Sequence, residues 1–291
     1  MARYSATKIN PTRYSIHQWP FYAVLMPMAL LVLLPIVYIV NHAFKPFDEL
    51  IEYPPKFFVK RPTLDNFIEL FKMTSSSGIP VSRYIFNSVV ITVVVVVLSI
   101  FISSMAGFAL SKQKFHLKKI INEINTLSLM FVGVAVAIPR YIIIEKLGLI
   151  DNFLVHIIPG LAMPVGLFLI KQFIDQTPND LIEAAKLDGA NDFQVYLKVI
   201  LPLIKPAIAT VAILAFQDTW NNSGTSATFI NNRESFKTFA FYMSSLSSST
   251  NSVAAQSLSA ASALIMFLPN LIIFVFLQSQ VMDTMSHSGI K

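Results

Sequence analysis

The chain has 291 residues, 54% hydrophobic and only 13% charged, where soluble domains carry about 25% charged residues. The uncharged residues fall in long runs, which excludes a soluble globular protein, and the absence of cysteine excludes disulfides, thiol catalysis and thiolate metal sites. The net charge of +6 fits basic loops between membrane spans, so nucleic-acid binding is a poor reading of it.

Residues 1–19 are polar, with Arg3, Lys8 and Arg13 and no acidic residue. They read as a cytoplasmic tail. The apolar run from Pro20 to His42 is too long for a signal-peptide core and reads as a retained first span. A long external loop then runs to residue 82. It contains Pro46, Pro54, Pro55 and Pro62, and a short amphipathic helix is expected from Leu64 to Met73. Two readings of this loop stand: a dock for an external protein, or a cover for the rim of the bundle.

The second span, Tyr84 to Ser111, has no charge. The third is expected from Ile124 to Ile144 and the fourth from Asn152 to Ile170, interrupted by Pro159 and Pro164. The fifth, Leu203 to Trp220, is the shortest, bracketed by Lys205 and Asp218. The sixth runs from Val253 to Val281. The expected fold is therefore all-α: a polytopic bundle of six transmembrane helices whose core is 83–282, followed by a tail at 283–291.

Short basic loops set the expected orientation. Lys112, Lys114, Lys118 and Lys119 crowd the loop after the second span, whereas Arg140 and Lys146 after the third are offset by Glu145 and Asp151. The positive-inside rule then places both termini in the cytoplasm. Two spans carry small residues every fourth position: Ser99, Ser103, Gly107 and Ser111, and Ala255, Ser259 and Ala263. Such seams let helix backbones approach closely in lipid, within the chain or against a partner subunit.

Between the fourth and fifth spans lies a segment too charged for lipid, 177–202, which reads as two short helices. Thr177-Pro178 is a helix-start signal, with a hydroxyl cap before proline. Leu181, Ala184 and Ala185 share a face. Gly189 suits the left-handed residue that ends a helix, and Asn191 can cap the next. Phe193, Tyr196, Leu197 and Ile200 recur at helical spacing, and Pro202 ends or kinks the second helix. Five acidic residues against four basic ones from Lys171 to Lys205 argue against a helix lying on an anionic leaflet.

Glu183-Ala184-Ala185, three residues, Gly189, nine residues, then Val199-x-Leu201-Pro202 resembles the EAA loop of ABC importer permeases, with only Val199 departing from the usual isoleucine. Asn87-Ser88, Gly107-Phe-Ala-Leu, Leu147-Gly-Leu-Ile-Asp-Asn152, Phe173 to Leu187 and the Ser288-Gly-Ile-Lys291 tail resemble the carbohydrate, maltose-type branch. The resemblance covers Arg83 to the C-terminus. The segment after Trp220-Asn221 departs: Asn222-Ser-Gly-Thr-Ser-Ala-Thr replaces an apolar Pro-Leu stretch.

The resemblance implies a type I importer (MetI-like) transmembrane domain in the bacterial inner membrane. It implies a second, homologous permease subunit as heterodimer partner, two cytoplasmic ATPase subunits, an extracytoplasmic substrate-binding protein, and transport by alternating access. ATP and Mg would be bound by the partner ATPase; this chain has no phosphate-binding loop and is expected to hold no cofactor, metal or catalytic residue. Coupling to the ATPase is expected of Glu183, Ala184, Ala185, Gly189, Phe193, Tyr196, Leu201 and Pro202. Phe193, Tyr196 and Leu197 could equally pack on the chain's own bundle.

For the substrate path, intramembrane polar groups are the candidates: Gln217, Asp218, Trp220, Asn221 and Gln256. Trp220 also reads as an interfacial anchor, and His156 as a packing residue. Other cargo (polyamine, phosphate, glycerol-phosphate) would call for a dense charged set inside the spans; only Asp218 and Arg140 approach the membrane, at its outer edge. An intramembrane enzyme would call for catalytic pairs that the spans lack.

Overall fold

The structure, a computed structural model, describes residues 19–73, 78–248 and 253–288. In chain order the helices begin with α1 (Trp19–Ala43), α2 (Phe47–Leu50) and α3 (Asp65–Lys72). Next come α4 (Val81–Lys112), α5 (Lys118–Ser128) and α6 (Ala137–Lys146). A 3-10 turn, Phe153–His156, leads to α7 (Ile158–Leu161) and α8 (Pro164–Gln176). Then follow α9 (Asn179–Leu187) and α10 (Asp192–Val195), a π turn at Tyr196–Ile200, α11 (Leu201–Leu203) and α12 (Lys205–Trp220). α13 (Gly224–Phe229), a 3-10 turn at Glu234–Phe236, α14 (Phe239–Ser248) and α15 (Val253–Ser288) complete the chain.

Among the described residues, four segments are long and apolar enough to cross a membrane: Trp19–Ala43, Val81–Lys112, Phe153–Gln176 and Gln256–Gln278. A fifth exists if Asp192–Leu203 and Lys205–Trp220 are taken together across their 80° bend. The first, second and sixth expected spans are thus continuous helices, and the fourth is broken where its prolines lie.

The third expected span is not continuous. Ile124 to Ile144 divides into the end of α5, an irregular stretch and α6. The stretch contains Val132, Gly133, Val134 and Val136, residues of low helix propensity, and Phe131, Val132 and Val134 are exposed, so no packing overrides that preference. The fifth is shorter than expected as a straight helix because Pro202 and Pro206 flank Ile204, where the chain turns. The last helix exceeds its expected end at Val281 and runs to Ser288. The expected tails at 1–18 and 289–291 lie outside the described residues.

α4 is the spine. It packs on α8 and α12, α12 packs on α15, and α15 packs on α1. The Ser99–Ser103–Gly107 seam is buried against α8, so this seam serves packing within the chain. Ser99 Oγ donates to the Gly160 carbonyl at 3.3 Å. A Cβ on Gly107 would lie 3.1 Å from Ile170 Cγ2 and 3.4 Å from the Lys171 backbone nitrogen. Ser259 and Ala263, from the other seam, instead line a shallow groove with Tyr38 and His42 of α1; the side chain of Ala255 lies outside the described residues.

Two core clusters sit at opposite ends of α4. One gathers Tyr84, Trp220, Phe239, Tyr242, Ala261 and Leu264. The other gathers Phe108, Ile170, Ile174, Val195, Tyr196, Ile200 and Ile204. α1 contributes its last turns only; from Trp19 to Leu34 it is exposed all round, as suits a helix whose solvent is lipid.

Candidate functional site: an elbow and a roofed cavity

The elbow starts where α8 stops. The residue before a proline is driven out of the helical region, and Thr177 takes ψ 126° as the C-cap of α8. Pro178 is extended too, so α9 begins one residue later than expected. Thr177 therefore does not cap α9; its Oγ1 reaches back to the Phe173 carbonyl at 3.5 Å. Lys112, at the end of α4, spans the junction: its Nζ donates to the Thr177 carbonyl at 2.7 Å and to Asn179 Oδ1 at 2.9 Å.

Gly189 ends α9 with φ +86°, the left-handed region where side chains are strained. Its amide and that of Ala190 return to the carbonyls of Lys186 and Ala185, satisfying the helix end. Asn191 then opens α10 with a reciprocal cap: Asn191 Oδ1 accepts from the Gln194 amide at 2.8 Å, and Gln194 Oε1 accepts from the Asn191 amide at 2.9 Å. An exposed Lys186–Asp192 pair at 2.8 Å bridges the two helices.

The faces differ from the expected ones. On α9, Leu181, Glu183, Ala184 and Leu187 are exposed, while Ile182 is buried and Ala185 half-buried. On α10 and the turn after it, Phe193 and Leu197 are exposed, but Tyr196 and Ile200 are buried. Tyr196 OH lies 2.7 Å from Ser104 Oγ, and its ring meets Phe108 at 5.8 Å. The wider π turn at Tyr196–Ile200 splits the helical spacing, sending Tyr196 into the bundle. Tyr196 thus fastens the elbow to α4 and offers nothing outward. Leu201 is half-buried and Pro202 is exposed, both beside the bend.

The second site is a cavity of about 190 Å3 between α4, α7, α12 and the segment after Trp220. Ile91, Val95 and Ala215 form its apolar wall. Arg140, His156, Asp218, Thr219, Asn222, Thr225 and Thr238 supply its polar lining. Pockets for drug-sized ligands measure about 300–1,000 Å3, so this cavity is smaller than one. Arg140 and Asp218, expected only at an outer edge, line it together.

Segment 222–239 roofs the cavity. The Thr225 amide donates to Asn222 Oδ1, Thr238 Oγ1 donates to the Asn222 carbonyl, and Ser226 Oγ accepts from the Thr238 amide at 3.0 Å. The roof is latched to the start of α4. Asn87 Nδ2 donates to the Ser235 and Lys237 carbonyls at 2.7 and 2.9 Å, Ser88 Oγ accepts from the Phe239 amide, and Tyr84 OH meets Glu234 Oε1 at 2.7 Å. Beside the roof, Asp151 accepts from the amides of Asn231 and Asn232 and from Asn232 Nδ2. The Asn232 amide is the main cause that holds its carboxyl below the usual carboxylate range.

The five expected path residues do not converge. Asp218 lines the cavity. Trp220 does not: it is 4% exposed, stacks on Phe216 and donates from Nε1 to the Met266 carbonyl at 3.0 Å, so its side chain packs in the core beside the cavity. Asn221 pairs with Asn270 of α15. Gln217 is exposed on α12, and Gln256 lines the separate groove beside Tyr38 and His42. The latch residues Tyr84, Asn87 and Ser88 were not among the candidates; a paired amide and hydroxyl near the start of the uncharged run 84–111 is the signal that marks them. Among the described residues no group of three His, Asp or Glu could hold a metal ion.

Residues 20–281 match the family described as Binding-protein-dependent transport system inner membrane component. The chain is 28% identical over 281 residues to the arabinooligosaccharides transport system permease protein AraQ of Bacillus subtilis, covering 96% of this chain and 98% of that one. It is 30% identical to the trehalose transport system permease protein SugB of Mycobacterium tuberculosis, over 65% of this chain and 68% of that one. In fold it is similar to a chain of a bacterial ABC transporter that imports the acidic polysaccharide alginate, with a TM-score of 0.78 at 22% identity over 92% of this chain and 99% of that one. The chain belongs to the family of binding-protein-dependent transport system inner membrane components: it is an all-α, multi-pass permease subunit of the inner membrane and not an enzyme.

Proposed function

We propose that this chain is half of the pore of an ATP-driven importer for a sugar or oligosaccharide. The observation that carries the reading is the elbow. α9 and α10 form a pair joined by the Gly189 turn and the Asn191 cap, with Ile182 and Val195 packed on the bundle. They expose Leu181, Glu183, Ala184, Leu187 and Phe193, and fasten to the pore-forming helices through Tyr196, Ser104 and Lys112. A force on the exposed face passes directly to α4 and α12.

In this reading two cytoplasmic ATPase subunits grip the elbows, bind the ATP and Mg, and drive alternating access. A second homologous permease completes the pore, and an extracytoplasmic binding protein delivers cargo. The chain crosses six times, counting the broken 118–146 and the bent 192–220 segments each as one, with both termini and the elbow in the cytoplasm. The core is 83–282; Glu183 meets the ATPase surface and Gly189 sets the turn. Sugar cargo is supported by the names of the relatives and by the cavity lining, since the hydroxyls and amides of Thr219, Asn222, Thr225 and Thr238 suit a polyol.

The test is co-purification and transport with Gly189→Leu. A Cβ at this position meets no atom within 4 Å, so the substitution acts through backbone strain at the turn alone. The variant is expected to insert in the membrane normally yet lose the co-purifying ATPase and transport. Full transport by Gly189→Leu would sink the coupling role.

A further inference from the structure

The connection between α1 and α3 holds a cluster of exposed aromatic residues that neither the elbow nor the cavity uses. Tyr53 is 91% exposed and Phe58 67%, with Phe57 also exposed. An exposed aromatic group on an ordered segment marks an interaction surface. The segment behind it is tied in place. Glu49 accepts from the Lys60 and Arg61 amides, Lys45 Nζ donates to the Lys56 carbonyl, and Thr63 returns its amide to the Phe44 carbonyl.

The decisive tie runs to α1. Asn41 Oδ1 accepts from the Val59 amide at 3.0 Å, and the Phe57 ring lies 6.0 Å from that of Tyr38. The loop therefore folds back along the last two turns of α1 instead of rising away from it. The 25-residue helix is about 37 Å long at 1.5 Å per residue, against a hydrocarbon thickness of about 30 Å. Tyr38 lies five residues before the helix end, about 7 Å inward, a distance equal to the helix's excess over the hydrocarbon thickness. Phe57 is held at that depth, and Phe58 packs on it edge to face at 5.1 Å. The exposed aromatics continue the exposed apolar surface of α1.

We propose that residues 53–58 form an anchor in the interfacial layer of the bilayer, with Phe57 and Phe58 among the upper acyl chains and Tyr53 at headgroup level. Aromatic side chains favour this layer because an apolar ring and a polar edge are both satisfied there. The anchor adds to the packing of the last turns of α1 on α15 in setting the depth of α1, whose residues 19–34 are exposed all round. The inference rests only on α1 crossing the membrane and stands whatever the cargo.

The absence of native cysteine makes the test direct. Single-cysteine variants Tyr53→Cys and Phe58→Cys carry a nitroxide label, with Leu31→Cys as the lipid reference and Lys114→Cys as the water reference. The full chain, in the complex that co-purifies with it, is placed in lipid nanodiscs. Collisional access to oxygen and to a water-soluble nickel chelate is then measured. The expected result at 58 is an oxygen-to-chelate ratio near that of Leu31, unchanged by added binding protein. Asn41→Ala should shift that ratio toward the water reference by releasing the tie. A water-like ratio at 58 would overturn the proposal. So would low access to both reagents, which assigns the patch to a neighbouring subunit, or protection that requires the binding protein, which assigns it to docking.

Discussion

The two ends of α4 reinforce their apolar cores by different means. At the elbow end, small residues let α8 approach until a Cβ on Gly107 would lie 3.1 Å from Ile170 Cγ2, and the contact is apolar interlock around Ile170 and Ile174. At the roof end, Tyr84, Asn87 and Ser88 hold segment 234–239 by hydrogen bonds to side chain and backbone. In lipid, apolar burial between helices gives little advantage, so a rigid joint needs close packing. An irregular segment beside a cavity needs every backbone group satisfied. A force applied to the elbow therefore meets a stiff joint first and a separable latch last.

The largest effect expected on this contrast comes from Trp220→Ala. The change removes a buried aromatic and its bond to Met266 and should cost about 3–5 kcal/mol, as for large-to-small core changes. A drop in melting temperature with unchanged cargo response in the surviving fraction would place Trp220 in the core alone; a selective loss of cargo response would contradict its burial. Gly107→Val should cost about 1–3 kcal/mol by overpacking, because even a Cβ would sit 3.1 Å from Ile170 Cγ2 and Ile170 is fully buried. Thermal unfolding of the purified complex reads this; a neutral outcome would mean that the α4–α8 seam is looser than drawn.

Asn87→Leu should cost about 1–3 kcal/mol by leaving the Ser235 and Lys237 carbonyls unpaired. Unlike the first two changes, it should raise protease sensitivity within 230–238 while leaving the elbow protected. Equal exposure of both regions would erase the distinction between joint and latch. The smallest effect is pH-dependent. The Asp151 carboxyl is depressed in the folded chain, chiefly by the Asn232 amide, so its contribution is present above the usual carboxylate range and lost as pH falls through the depressed value. Asp151→Asn should flatten the acidic limb of the melting profile; an identical limb would remove this anchor from the roof.

Much of the elbow was legible in the sequence because its determinants are local. A glycine that must turn left-handed and an asparagine three residues before a glutamine act within a few residues of themselves. The third span breaks because an apolar run makes a helix only where packing enforces it, and Val132 and Val134 are exposed. Trp220 misled because a tryptophan near a span end fits an anchor equally well until Met266 and Phe216 close over it.

By itself the sequence determined the all-helical class, the positions of the long apolar runs, the glycine turn at 189 and the cap at Asn191, since each follows from composition or from neighbours in the chain. Tertiary structure alone decided that Tyr196 turns inward to Ser104, that Arg140 and Asp218 share one cavity, and that Asn87 latches a loop some 150 residues away. Those facts depend on which surfaces meet across long separations. A pairwise fit of shapes and hydrogen-bonding groups leaves no periodic trace along the chain.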